Sequence, residues 1–139
     1  MNVVNIERDF TSWVADKMGL KLDTEIFRGG IPEKIKTGAA VLFGSEMPST
    51  GFYGFRPRAW NAQILAKFDD RDEAMVFLAK VSGLFPVGNF THGETKFLAL
   101  EPISISEPYS AADRGKKKWY VSFNLVVSVL TVGAQSMKL

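Results

Sequence analysis

From Lys118 to Val132 apolar and polar positions alternate along the chain. Trp119, Val121, Phe123, Leu125, Val127 and Val129 fall on one side; Ser122, Asn124 and Ser128 fall on the other, with Val126 and Leu130 among them. A period of two is the mark of a β-strand. Strands usually run about 3–10 residues, and this pattern continues beyond that. Two short helices cannot easily cover so much apolar strand. Either a strong bend divides it into two ordinary strands, or part of it meets a neighbouring subunit, since large exposed apolar patches mark interaction sites. Self-association is the expectation.

Upstream, the period changes. Val3, Ile6, Phe10, Trp13, Val14 and Met18 make one stripe of a helix over 3–18, with Lys17 in its last turn and Gly19 as its stop. Short apolar runs at 24–28 (TEIFR) and 39–43 (AAVLF), bounded by glycines, read as strands. Residues 44–58, rich in glycine, proline and aromatics, read as a long surface loop. A third strand over 59–68 turns Trp60, Ala62, Ile64, Ala66 and Phe68 to one side and Asn61, Gln63 and Lys67 to the other. Asp70 and Glu73 then have capping-box spacing for a helix over roughly 71–85, whose buried stripe is Ala74, Phe77, Leu78, Val81, Leu84 and Phe85. Such a cap is worth about 1 kcal/mol, less than the packing of the stripe. A fourth strand over 95–106 contains Pro102, which places it at an edge or beside a bulge.

The order α-β-β-β-α-β-β predicts an α+β fold: a largely antiparallel or mixed sheet of about five strands, with two helices on one face. At 139 residues the chain fits one domain, with a short tail from about residue 133. The sequence carries no apolar run long enough to span a membrane, and its start lacks the pattern of a secretory signal. With no cysteine, disulfides and thiolate metal sites are excluded, and an intracellular origin is the default. A particle assembled in the cytoplasm and later released fits equally well.

Catalytic chemistry finds little support. His92, the only histidine, lies among Gly88, Asn89, Thr91 and Gly93 and reads as a solvated loop residue. GGIPEKIKT approaches the phosphate-cradling GxxxxGK[ST] pattern but puts Ile35 where the second glycine belongs. Asp69, Asp70, Asp72 and Glu73 lack EF-hand spacing and suit the first turn of a helix. Neither an enzyme nor a cofactor is expected.

Two basic features remain. Arg56 and Arg58 sit in a loop with Phe52, Tyr53 and Phe55, and Arg114, Lys116, Lys117 and Lys118 stand between the last two strands, shortly after Tyr109. Aromatics beside cations suit single-stranded nucleic acid. The same residue types are equally at home in protein interfaces, and lysines also blunt strand ends. A net charge of +2 does not decide between them.

Several phrases in order bring a family into view. RPRAWNAQILAKFDDRDEAMVFLAKVSGLF is an arginine-led strand with a central Gln63 feeding an acidic helix start. KFLALEPISISEPY follows, and then GKKKWYVSFNLVVSV, with an aromatic-x-x-x-Asn strand from Tyr120 to Asn124. Over about residues 6–132 the chain resembles the tail terminator or tail-completion proteins of long-tailed bacteriophages, often called minor capsid or minor tail proteins. The loop from Gly44 to Arg58 carries no phrase of that family. The resemblance implies a structural virion protein at the head–tail junction, assembled in the bacterial cytoplasm. Such a protein forms a homo-oligomeric, commonly hexameric ring on the tail tube protein, ends tube growth and faces the head-side connector protein. DNA only passes through its lumen, and no membrane is involved. On this view Tyr109 to Lys118 are the mobile tip of a β-arm that touches a neighbouring ring or subunit. The alternatives are a small single-stranded nucleic-acid-binding domain or a head-completion protein of the same particle.

Overall fold

The computed structural model describes residues 3–47, 55–113 and 115–132, and the side chains at 55, 56, 131 and 132 are outside the description. Helix α1 (Val3–Met18) buries Ile6, Phe10, Trp13, Val14 and Met18, as the stripe requires, whereas Val3 at its open end stays 38% exposed. Gly19, with φ of +69°, ends the helix in the left-handed conformation. The Leu20 N–H then donates to the Ala15 carbonyl at 2.9 Å and the Gly19 N–H to that of Asp16 at 3.4 Å, which is the Schellman arrangement.

Among the described residues seven strands follow rather than about five: β1 (Ile26–Arg28), β2 (Gly38–Met47), β3 (Phe55–Phe68), β4 (Val87–His92), β5 (Thr95–Ile105), β6 (Tyr109–Asp113) and β7 (Lys116–Val132). They form one sheet in the order β1-β2-β3-β7-β5-β4, with β6 paired to β7 off that path. The β1–β2 pair is parallel and the others are antiparallel, so the α+β architecture with a mixed, mostly antiparallel sheet is as expected.

The expected loop over 44–58 is corrected at its two ends, while residues 48–54 lie outside the described residues. Gly44–Met47 continue β2 and Phe55–Arg58 begin β3, and Glu46 and Met47 pair with Trp60 and Ala59. Glycine and proline had suggested a loop, but the register shift between Phe43 and Glu46 is a bulge that takes up the glycine without ending the ladder. Pro102 likewise sits beside a register shift, between Pro102 and Ser104.

Helix α2 (Arg71–Ser82) begins at Asp70, whose carboxylate accepts from the Glu73 N–H at 2.8 Å. It ends at Ser82 rather than 85, because beyond Gly83 the Leu84 and Phe85 N–H groups turn to the carbonyls three residues back, Val81 at 3.1 Å and Ser82 at 3.3 Å, and leave the α-helical ladder. Phe85 is nevertheless buried, within the turn that leads to β4.

The length of β7 also has an internal explanation. It is a central strand: β3 runs along one side of it from Phe55↔Val132 to Phe68↔Trp119. β5 and then β6 share the other side in succession. Val121, Phe123, Leu125, Val127 and Val129 all show 0% exposure within the one chain. Helix α2 and a set of aromatic rings lie over that face. Phe85 stacks on Phe123 at 5.2 Å between centroids, Trp13 meets Phe85 at 5.7 Å and Phe90 at 5.1 Å, and Phe10 meets Phe97 at 6.3 Å. That face of β7 is therefore not the apolar surplus that had suggested self-association.

Candidate functional site

The lysine run does not act as a unit. Successive strand residues point to opposite faces, so Lys117 shares a face with Trp119, its Nζ 5.1 Å from that ring's centroid. Lys118 points away from the helices and is only 6% exposed. It is therefore not part of a solvated lip. Its ammonium pairs with the Asp69 carboxylate and donates to the Lys36 carbonyl oxygen at 3.2 Å. The Asp69 carboxyl is held below its ordinary pKa, first by the hydrogen bond from Lys118 and then by that cation's charge. Lys67, expected on the side of its strand opposite Trp60 and Ile64, is also buried, and its Nζ donates to Asp113 at 2.9 Å.

These pairs belong to a polar cluster on the face of the sheet remote from the helices. In register, Lys67 lies opposite Tyr120 on β7, and Tyr109 of β6 lies opposite Tyr120 from the other side. The two tyrosine rings stack with centroids 5.7 Å apart. Burial, followed by the negative charge of Asp113, pushes the Tyr120 hydroxyl above its ordinary pKa. Farther along, the Gln63 amide donates to Ser122 Oγ at 2.7 Å. Tyr109–Asp113 and Lys116–Tyr120 are therefore paired to one another as far as Asp113↔Lys116 rather than forming a free tip. Lys116 and Lys117 are exposed, as is Tyr109 at 46%.

Among the remaining candidates, Phe52, Tyr53 and Arg114 lie outside the described residues. Phe55 and Arg56 enter β3 by backbone pairing with Val132 and Thr131. Arg58 is engaged internally. Its Nε donates to Glu46 Oε2 at 2.9 Å and its Nη2 to Oε1 at 2.8 Å, a two-point clamp across the β2–β3 hairpin. Its guanidinium also lies 4.8 Å from the Trp60 ring centroid. The clamp holds the Glu46 carboxyl below its usual range. Lys118 and Arg58 thus spend their charge within the chain.

His92 ends β4 and is not a loop residue. Its Nε2 lies 3.0 Å from Ser12 Oγ and 3.8 Å from Asp16 Oδ2, in a shallow groove shared with Trp13 and Phe90. Serine, histidine and aspartate together suggest a nucleophile relay, but both partners approach the same ring nitrogen. A relay needs the carboxylate on one nitrogen and the hydroxyl on the other. Among the described residues no group of histidine and carboxylate side chains could hold a metal ion. No helix of the described residues is long and apolar enough to cross a membrane.

A second polar anchor escaped the sequence. Asp9 lies on the inward side of α1, 5% exposed, and accepts from the Glu94 N–H at 3.0 Å and from Thr95 Oγ1 at 2.6 Å. It fastens the helix to the β4–β5 turn. Gly93 there has φ of +63°, and its missing side chain leaves the space that the Asp9 carboxylate fills.

No family model matches this sequence, and no curated protein matches it. Among solved structures, a chain from the virion of native gene transfer agent (GTA) particle has a similar fold, with a TM-score of 0.60 at 12% identity. The match covers 94% of this chain and 100% of that one. At that identity the likeness is one of fold.

Proposed function

We propose that the chain is a structural component of a phage-like virion, and that within it the chain forms the ring that terminates the tail tube and meets the head-side connector. The observation that carries the reading is the fold shared end to end with a virion chain, 94% of one and 100% of the other. The resemblance to tail terminators, drawn from the order of sequence phrases, points the same way. Among the described residues every buried side-chain polar atom has a partner, and Gln63, Lys67 and Arg58 are engaged across strands, which suits a scaffold better than a catalyst. Nucleic-acid binding loses two of its candidate cations, since Lys118 and Arg58 are paired with Asp69 and Glu46.

Sedimentation velocity of the purified protein over a wide concentration range tests the ring. A discrete species of about six subunits is expected, built by head-to-tail contacts that close. A tight dimer that persists at every concentration overturns the terminator assignment. In particles, depletion of the chain should leave filled heads unjoined to tails of irregular length. Normal joining without it overturns the junction role.

A further inference from the structure

The strand order leaves two stretches of sheet edge bare among the described residues. β1 pairs only with Ala39, Ala40 and Val41 of β2, so nothing lies beside the outer edge of Leu42–Met47. β4 pairs with β5 only as far as Leu100, so the outer edge of Glu101–Ile105 is bare as well. The ladder registers put both stretches at the same level of the sheet. One row runs Phe43, Ala62, Leu125, Pro102, and the next runs Leu42, Gln63, Asn124, Ser104.

Their directions fit too. The β2–β3, β3–β7 and β7–β5 contacts are all antiparallel. β2 and β5 therefore run in opposite senses. A second copy moved sideways along the sheet, without being turned over, brings its β2 antiparallel to the first copy's β5. Bare edges carry backbone N–H and C=O groups that an added strand satisfies.

The side chains agree with that pairing. Ile103 and Ile105, both β-branched, are 56% and 48% exposed at the bare β5 edge. Ile105 lies opposite Phe123 and so belongs to the helix-covered face. Phe43, on the same face opposite Ala62, packs partly on the core. In the seam, Pro102 of one copy comes level with Phe43 of the next, and Ile105, two rows on and on the same face, lies diagonal to that ring. Pro102 and the register shift after it blunt the edge against indiscriminate pairing.

We propose that the bare edge of Glu101–Ile105 receives the bare edge of Leu42–Met47 from a second copy of this chain, so that one sheet continues from subunit to subunit. This deepens the ring reading and rests on it. The two edges are different surfaces, so the contact is heterologous: each copy gives one edge to each neighbour. The regular twist between adjacent strands supplies a rotation at every step.

The absence of cysteine makes the test clean. Leu42→Cys protein is mixed with Ser104→Cys protein, and Ser45→Cys with Glu101→Cys, under oxidising conditions, alongside each variant alone, because the members of each pair fall in about the same row of the continued sheet. Each mixed pair should give a disulfide-linked dimer, and the double variant Leu42→Cys/Ser104→Cys a ladder of linked oligomers. Each single variant alone should stay largely unlinked. Equal cross-linking of like with like indicates a two-fold contact and overturns the proposal. If sedimentation shows a ring but no mixed cross-link forms at any of these positions, the edge pairing is overturned and the ring stands. A chain that stays monomeric and unlinked at millimolar concentration overturns both. Ile105→Lys supplies an independent check, because the position is exposed and its thermal midpoint should not move. Loss of oligomer at an unchanged midpoint supports the seam, whereas full assembly of that variant overturns it.

Discussion

The two faces of β7 are buried by different physics. Toward the helices, its odd-numbered residues from Val121 to Val129 are wholly covered by aliphatic and aromatic groups. On the other face, Lys118, Tyr120, Ser122 and Asn124 are paired one by one with Asp69, Tyr109, Gln63 and Ser104. The first face gains from apolar area removed from water, at about 25 cal/mol per Å², with no dependence on protonation. The second holds particular partners in register, at a strength set by charge and pH. One strand therefore carries a part that stabilises the fold and a part that aligns the hairpins around it.

The largest effect should come from the apolar face. Phe123→Ala removes a ring with 0% exposure that stacks on Phe85 at 5.2 Å. A loss of about 3–5 kcal/mol is expected in chemical denaturation, in the range of buried Phe→Ala changes. A loss below about 1 kcal/mol, the scale of surface changes, would mean that α2 and the aromatic rings do not pack on β7 as described. Next comes Lys118→Glu, which sets a carboxylate beside Asp69 on a side chain only 7% exposed. A cost of about 2 kcal/mol is expected, less than for a fully buried pair, because half-solvated Asp69 can turn to water. Lys118→Met keeps the buried stem and should cost under about 1 kcal/mol. If the two variants cost the same, the face is held by packing and the contrast between the faces fails.

The sequence disclosed the two faces unequally. Hydrophobic period alone revealed α1, α2, β3 and the inward side of β7, because each of those buries its stripe against the core. β4 and β6 stayed hidden. Val87–His92 contains Gly88 and Asn89, turn formers that are overruled by Phe90 packing on Trp13 and Phe97. Tyr109–Asp113 has little strand propensity, and its pairing with β7 places Tyr109 on Tyr120. The burial of Lys67 and Lys118 was not legible, because alternation gives the face of a residue and not the partner waiting there. Asp69 and Asp113, which make those burials tolerable, are respectively 49 and 46 residues away in sequence. Nothing local announces them.

Acid should weaken the polar attachments and spare the apolar face. Asp69 and Glu46 both have pKa values lowered in the folded chain, through hydrogen bonds from Lys118 and Arg58. A depressed folded pKa gives stability that is present above the unfolded value, about 4 for a carboxylate, and lost as pH falls through the lower folded one. The thermal midpoint should therefore drop on acidification below about pH 4. Asp69→Asn and Glu46→Gln should each start lower at neutral pH and fall less steeply in acid. Both pairs reach solvent, so each share is small and shrinks with added salt. A pH slope unchanged in both variants means that neither pair contributes to stability.

The smallest expected effect on the fold is the most informative for assembly. Lys116 and Lys117 are exposed, so Lys116→Glu/Lys117→Glu leaves the buried ion pair of Lys118 untouched. The cost is the stacking of Lys117 over Trp119, about 0.5 kcal/mol at an exposed site. Each replacement changes the charge by two, taking the chain from +2 to −2. If the β6–β7 hairpin touches a neighbouring ring, the double variant should fold normally yet join heads to tails poorly. Full joining removes the hairpin from the contact surface and leaves assembly to the bare edges of β2 and β5. Oligonucleotide binding gives a separate readout. Binding at low salt by the original chain that vanishes in the double variant would move these two lysines from protein contact to phosphate contact, since such binding follows the number of cations available to the backbone.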